Sequence, residues 1–153
     1  MSVKIKSNRS AIEKAMDEAI ETALDAAGMQ AATLARRELQ KDPSRIDTGL
    51  LRNSITWALG GGAANQSGYA GSKPSKYTGK MPDPGSYSGT APGDHGKQRT
   101  VYIGTNVEYA IYVHEGAKFP SGKEMKPNRF LKNAIEENRD ELIKIMKDVL
   151  QNA

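Results

Sequence analysis

The sequence predicts an α+β fold: long N-terminal and C-terminal helices packed on a small antiparallel sheet, with a long Gly/Pro-rich loop inserted between two strands. Three observations carry this. Apolar residues recur at spacings of three and four in two long segments, residues 11–40 and 127–149. Two short β-branched and aromatic runs, Ile55-Thr56-Trp57-Ala58-Leu59 and Thr100-Val101-Tyr102-Ile103-Gly104, flank a stretch that holds 10 of the 15 Gly and four of the seven Pro. Two such strands cannot close a core by themselves, so the helices must cover them.

The first helix runs from Ala11 to about Gln40, with Ile12, Met16, Ala19, Ile20, Ala23, Ala27, Ala31, Leu34 and Leu39 on its apolar side. Ser10 is its expected N-cap, and Glu13 three residues on completes a capping box. Glu13, Asp17, Glu18, Glu21 and Asp25 crowd the first half while Arg36, Arg37 and Lys41 close the second, the arrangement the helix dipole favours. Gly28 inside it costs about 1 kcal/mol relative to Ala, so it marks either a bend or the close approach of another element.

Pro43 stops this helix, and Asp47 or Thr48 caps a short helical turn through Leu50, Leu51 and Arg52. Ile55, Trp57 and Leu59 alternate in bulk and predict a strand with the only Trp on one face. Residues 60–99 are too rich in Gly and Pro for a long regular element and far exceed the usual connection of about 4 to 6 residues. They are expected to form a flexible, wettable assembly arm carrying Tyr69, Lys73, Lys76, Tyr77, Lys80, Tyr87 and Lys97. Thr100–Gly104 then pairs antiparallel with the first strand. Glu108–His114 fits a short strand or a short helix equally, and Glu115-Gly116 closes it. A polar connector, Ala117–Lys126, leads to Pro127 at the first position of a terminal helix bearing Phe130, Leu131, Ala134, Ile135, Leu142, Ile145, Met146 and Val149. Residues 1–153 read as one domain containing the arm at about 60–99.

Composition narrows the function. The chain has no Cys, which excludes disulfides, thiolate chemistry and cysteine metal sites, and its two His, His95 and His114, would need carboxylate help to hold a metal. No cofactor is expected. No apolar run reaches the roughly 20 residues of a membrane span, and the start lacks the apolar stretch of a secretory signal, so synthesis in the cytosol is expected. The net charge of +4 is uneven: residues 1–59 carry nine cations and eight anions, 60–99 five and two, 100–153 eight and eight. The surplus lies in the arm.

No enzyme motif survives. Ser54, His114 and Asp47 could compose a triad, but no strand, elbow and helix frames the serine. Gly60-Gly61-Gly62 lacks the Gly-Lys-Ser/Thr of a phosphate loop. Adjacent His114 and Glu115 point apart on either element, and a satisfied polar pair at an element end explains them. Glu136, Glu137, Asp140 and Glu141 read as a solvated helix face. Two alternatives to a structural role are a basic nucleic-acid-binding accessory protein, whose arm touches DNA without sequence preference, and, more remotely, a hydrolase using His114.

Four blocks carry a family resemblance. Asp47-Thr48-Gly49-Leu50-Leu51-Arg52-Asn53-Ser54-Ile55, Val101-Tyr102-Ile103-Gly104-Thr105, Tyr109-Ala110-Ile111-Tyr112-Val113-His114-Glu115-Gly116 and Pro127-Asn128-Arg129-Phe130-Leu131-Lys132-Asn133-Ala134 occur in the order of the tail-completion or head–tail joining proteins of tailed bacteriophages and prophages, which the chain resembles. It departs where His114-Glu115 replaces a single acidic residue and where Asn128-Arg129 separates Pro127 from Phe130. The resemblance implies a non-enzymatic virion protein of the tail or neck, assembled in the host cytoplasm as a ring, with a hexamer as the expected form. Its implied partners are a head connector or adaptor, a tail terminator or tail tube, and passing DNA by non-specific contact. Under it Asp47 and Thr48 act through caps and turns, Gly49 and Gly104 through backbone freedom, and Arg52 through an ion pair within or between subunits. Trp57, Glu115, Gly116 and Pro127 complete the structural or interface candidates. Tyr109, Tyr112 and Phe130 are expected as core anchors, since aromatics supply large buried area.

Overall fold

A computed structural model describes residues 2–4, 7–93 and 99–152; His95 and Lys97 lie outside the described residues. The fold is α+β and is organised around one helix, α1 (Arg9–Gln40). It starts two residues before the expected position. Ser10 is therefore inside the helix and not its cap. The carbonyl of Asn8 accepts the first bond, from the Ile12 N–H at 3.0 Å, and Glu13 pairs with Arg9 at 2.8 Å instead of reaching back to Ser10.

The second half of α1 does the packing. Ala23, Ala27, Ala31, Ala32, Leu34, Ala35 and Leu39 are buried there, and their small side chains let other elements come close. Against this half lie a two-stranded antiparallel sheet of β1 (Thr56–Leu59) and β4 (Val101–Gly104), and the C-terminal helices α4 (Phe130–Glu136) and α5 (Arg139–Gln151). The strand register sets Trp57 opposite Ile103 and Leu59 opposite Val101. Gly28 is where sheet and helix meet: a Cβ there would stand 2.6 Å from Val101 Cγ2 and 2.7 Å from Trp57 Cδ1. Of the two roles expected for Gly28, close approach is the one realised. The Trp57 indole N–H, 2.8 Å from Asp25 Oδ1, ties the same strand to α1.

Several local expectations are corrected. Ile55 precedes the strand and is fully buried, a core residue between α2 (Leu50–Ser54) and β1. The ambiguous Glu108–His114 stretch resolves as a helix, α3 (Ala110–Glu115). The polar connector folds into a two-residue hairpin, β5 (Ala117–Lys118) with β6 (Glu124–Met125), closed by bonds between Phe119 and Lys123 and between Gly122 and Phe119. Pro127 lies three residues before α4, whose N-cap is Arg129. The single terminal helix is two helices. Asn138 interrupts it: its side-chain amide donates to the Ala134 carbonyl at 3.0 Å, and its own carbonyl accepts the Leu142 N–H to begin α5.

The core is completed by Leu51, Ile55, Val107, Ala110, Phe130, Ala134 and Leu142 packed on the second half of α1. Phe130 is fully buried, as a core anchor should be. Tyr109 and Tyr112 are not: they are 44% and 58% exposed, because α3 is too short to bury more than one face and spends that face on Ala110.

Candidate functional site

The Asp47-Thr48-Gly49 segment links the C-terminal end of α1 to α2, and its geometry explains its residue types. Gly49 occupies the N-cap of α2 at φ 80°, in the left-handed region. Thr48 Oγ1 accepts the Leu50 N–H at 3.2 Å, so of the two capping candidates Thr48 supports the helix start. Asp47 faces away from α2. Its Oδ2 accepts the Ser75 hydroxyl at 2.5 Å and its Oδ1 the Lys76 N–H at 2.7 Å, and both bonds reach into the Gly- and Pro-rich segment. The Ser75 hydroxyl, followed by the Lys76 N–H, holds the Asp47 carboxyl below its ordinary value.

The same loop and α2 bind that segment at further points. The Thr48 carbonyl accepts the Ser72 N–H at 2.7 Å. Asn53 donates to the Ala70 carbonyl at 2.8 Å and to Ser72 Oγ at 2.9 Å, and Arg52 donates to Ser72 Oγ at 3.1 Å and to Asn53 Oδ1 at 3.2 Å. Arg52 thus works inside the chain on neutral oxygens. Farther along, β2 (Gly68–Tyr69) pairs with β3 (Gly85–Ser86), the Tyr69 hydroxyl donates to Asn106 Oδ1 at 2.6 Å, and the Tyr87 hydroxyl donates to the Ser54 carbonyl. The Tyr69 and Tyr87 rings touch at 5.5 Å, and burial pushes the Tyr69 phenol up.

Between this loop, the segment and α3 lies a cleft of about 650 Å³. Leu39, Ile46, Leu50, Leu51, Tyr77, Met81, Pro82, Tyr109, Val113 and Met125 give it apolar walls, and Arg45, Arg52, Lys76 and Lys80 set four cations against the single carboxylate of Asp47. Tyr77 is 80% exposed. Lys76 Nζ sits 5.2 Å from its ring centroid and donates to the Ser44 carbonyl at 3.0 Å. Burial pushes the Tyr109 phenol up, in keeping with its place on the cleft wall. Chemically, the cleft's apolar walls and cationic rim are complementary to apolar groups with an acidic surround.

A second cluster lies at the end of α3. His114 Nδ1 is 2.7 Å from Glu115 Oε1, and His114 Nε2 accepts the Lys132 N–H at 3.4 Å, which places the imidazole proton on Nδ1. The His114 ring meets Phe130 edge-on at 5.3 Å, and the hydrogen bond from His114 holds the Glu115 carboxyl below its ordinary value, with Arg129 3.9 Å from its other oxygen. Gly116, at φ 83°, leaves no room for a Cβ, which would come within 2.8 Å of the Met125 carbonyl and 3.1 Å of Pro127. This cluster therefore joins α3, the β5–β6 hairpin and α4. The three hydrolase candidates are dispersed: Ser54 Oγ is buried against the Leu51 carbonyl and Thr105 Oγ1, both at 2.6 Å, while Asp47 and His114 hold the separate partners given above.

The structure thus brings Asp47, Thr48, Gly49, Arg52, Tyr109, Lys76, Tyr77 and Lys80 to one cleft, and Glu115, Gly116, Pro127 and Phe130 to the neighbouring junction. Trp57 and Gly104 lie apart on the sheet, Tyr112 is exposed on α3, and Lys73 donates its N–H to the Thr48 carbonyl at 3.4 Å with its charge near Asp47. Gly104 is an ordinary strand residue: its φ is not positive, and a Cβ there would meet open space. Sequence reasoning missed Asn53, Ser72, Ser75 and Asn106, the polar residues that fasten the segment. Their only signal is position: Asn53 follows the Asp-Thr-Gly block, Ser72 stands beside Gly71, Ser75 beside Pro74, and Asn106 two residues after β4. Among the described residues no group of His, Asp and Glu is arranged to hold a metal ion, and no helix is long and apolar enough to cross a membrane.

The family model described as "Bacteriophage HK97-gp10, putative tail-component" matches residues 4–116. That span holds α1, the Asp47 loop, the sheet, the Gly- and Pro-rich segment and α3. No curated protein and no solved structure matches the chain.

Proposed function

The chain belongs to the HK97-gp10-like family of bacteriophage tail components, and from that premise we propose that it is a structural adaptor, a ring of copies that completes the tail and joins it to the head connector. It acts by binding neighbouring virion proteins and not by turnover. The observation that carries this reading is a pair of unlike exposed apolar surfaces at the two ends of α1. Ile12 and Met16 are 59% and 58% exposed at one end. At the other end, Tyr77, Met81 and Tyr109 stand exposed around the cleft that also includes Leu39. Ile12 and Leu39 are separated by roughly 40 Å of helix at about 1.5 Å per residue. Unlike surfaces at opposite ends favour a head-to-tail contact, which closes into a ring when the rotation permits.

In this reading the segment at 60–99 is the part of each subunit that reaches its neighbour or the channel. Native mass spectrometry of the purified chain, alone and with its connector and tail-tube neighbours, tests the proposal. A closed ring, six copies in the simplest case, is expected in at least one of these mixtures. A chain that stays monomeric in all of them sinks the ring.

A further inference from the structure

We infer that the basic-rimmed cleft receives the N-terminal half of α1 from a second copy of the chain, an inference that rests on the ring reading and specifies its contact. From Arg9 to Thr22, about four turns at roughly 3.6 residues each, α1 has no buried residue, and every residue from Arg9 to Glu18 is exposed. The side bearing Ala15, Glu18, Ala19 and Thr22 forms a groove with the end of α5 at Asp148, Val149 and Asn152, and a helix of that length is marginal in water unless its remaining apolar face is covered too. Ile12, Met16 and the half-buried Ile20 mark such a face, at helical spacing.

Charge selects the occupant. Residues 9–25 hold five carboxylates and only two cations, Arg9 and Lys14. Four of those carboxylates have partners: Asp25 accepts the Trp57 indole N–H, while Glu13 with Arg9, Glu18 with Lys14 and Asp17 with Arg99 form surface ion pairs, which hold little energy against a better one. The cleft has the opposite balance. The side-chain hydrogen bonds of Arg45, Arg52 and Lys76 go to neutral oxygens of Lys126, Asn53, Ser72 and Ser44, so among the described residues these cationic groups have no carboxylate in salt-bridge contact. An acidic helix with an apolar stripe matches an apolar cleft with a cationic rim in both respects. One chain cannot join the two, because they stand at opposite ends of the same helix. The contact must link copies, and each copy then keeps one free helix half or one free cleft for the next.

The absence of Cys makes the test clean. Met16 and Met81 are both more than half exposed, so Met16→Cys and Met81→Cys each place one thiol without disturbing the core. Oxidised as an equimolar mixture with the neighbouring virion proteins present, the two variants are expected to give a disulfide-linked dimer that neither gives alone. Glu13→Lys with Asp17→Lys in the Met16→Cys chain should suppress that dimer, and Lys76→Glu with Lys80→Glu in the Met81→Cys chain should restore it. A ring of wild-type chains without the Met16–Met81 crosslink overturns this contact and leaves the ring reading standing. Neither crosslink nor ring overturns both, whereas a crosslink without a closed ring supports the contact and removes the closure.

Discussion

The second half of α1 and the segment at residues 60–93 are both fastened to the rest of the chain, by opposite means. Around α1 the fastening is apolar: small alanines admit Ile55, Phe130 and Leu142 to a shared core, and removing any of these opens a void. Along the segment it is polar. The links are hydrogen bonds accepted by Asp47 and donated by Asn53, Arg52, Asn106 and the Tyr69 and Tyr87 hydroxyls, and none of the segment's described residues is buried. Packing resists piecemeal loss, because every contact shares its neighbours. A row of solvent-accessible hydrogen bonds can open locally while the body stays folded. That difference suits a subunit whose body must persist and whose segment must accept a neighbour.

The comparison breaks most severely at Phe130. Phe130→Ala should cost about 3–5 kcal/mol, the usual range for truncating a buried aromatic, and should lower the urea midpoint of the whole chain without a separate transition for the segment. Gly28→Val tests the same region from the opposite direction. A larger residue where even a Cβ would stand 2.6 Å from Val101 must push β1 and β4 off α1, at about 1–3 kcal/mol for overpacking. Equilibrium denaturation checks it: a stability equal to the parent's would mean that the sheet does not press on α1 there.

How far the sequence displayed these two regions follows from the same contrast. The helix period and the β1–β4 pairing were legible because apolar spacing reports burial, and burial is what holds them, whereas Gly28 was legible only as a bend or a close approach. The break at Asn138 was not legible, since an Asn within a helical period signals nothing until its side chain finds the Ala134 carbonyl. The β5–β6 hairpin escaped because two-residue strands leave no alternation to read. At the candidate site, Asp47, Thr48, Gly49 and Arg52 stood out as a motif, but their work on Ser72, Ser75 and Lys76 depends on a return of the chain some 20 to 30 residues later, about which local spacing is silent. Exposure of Tyr109 and Tyr112 was likewise hidden: aromatic identity favours burial, and only the shortness of α3 reverses it.

A smaller and local effect is expected at Asp47. Asp47→Ala removes the acceptor of both the Ser75 hydroxyl and the Lys76 N–H. Amide exchange should quicken at residues 72–80 while the amides of α1, α4 and α5 and the urea midpoint stay near parental values. Loss of protection in both regions together would mean that the segment and the body open as one unit, and the contrast between them would fail.

The smallest effect comes from pH, and its direction follows from the lowered Asp47 carboxyl. A carboxylate whose folded value lies below its ordinary 3.8 releases its proton more readily when the segment is docked. Its contribution is therefore complete above about pH 3.8 and is lost as pH falls through the lower, folded value. Exchange at residues 72–80, corrected for intrinsic rates, should rise in that acid window in the parent chain and show no such step in Asp47→Ala. Glu115, lowered by His114, titrates in the neighbouring acid range from an ordinary 4.5 and acts at the α3 junction. A Glu115→Gln variant separates the two: it should retain the acid step at 72–80, because among the described residues it is Asp47 whose carboxylate accepts the hydrogen bonds of Ser75 and Lys76. If that variant lost the step, the docking of the segment would depend on the α3 junction, and the polar fastening would not be local at all.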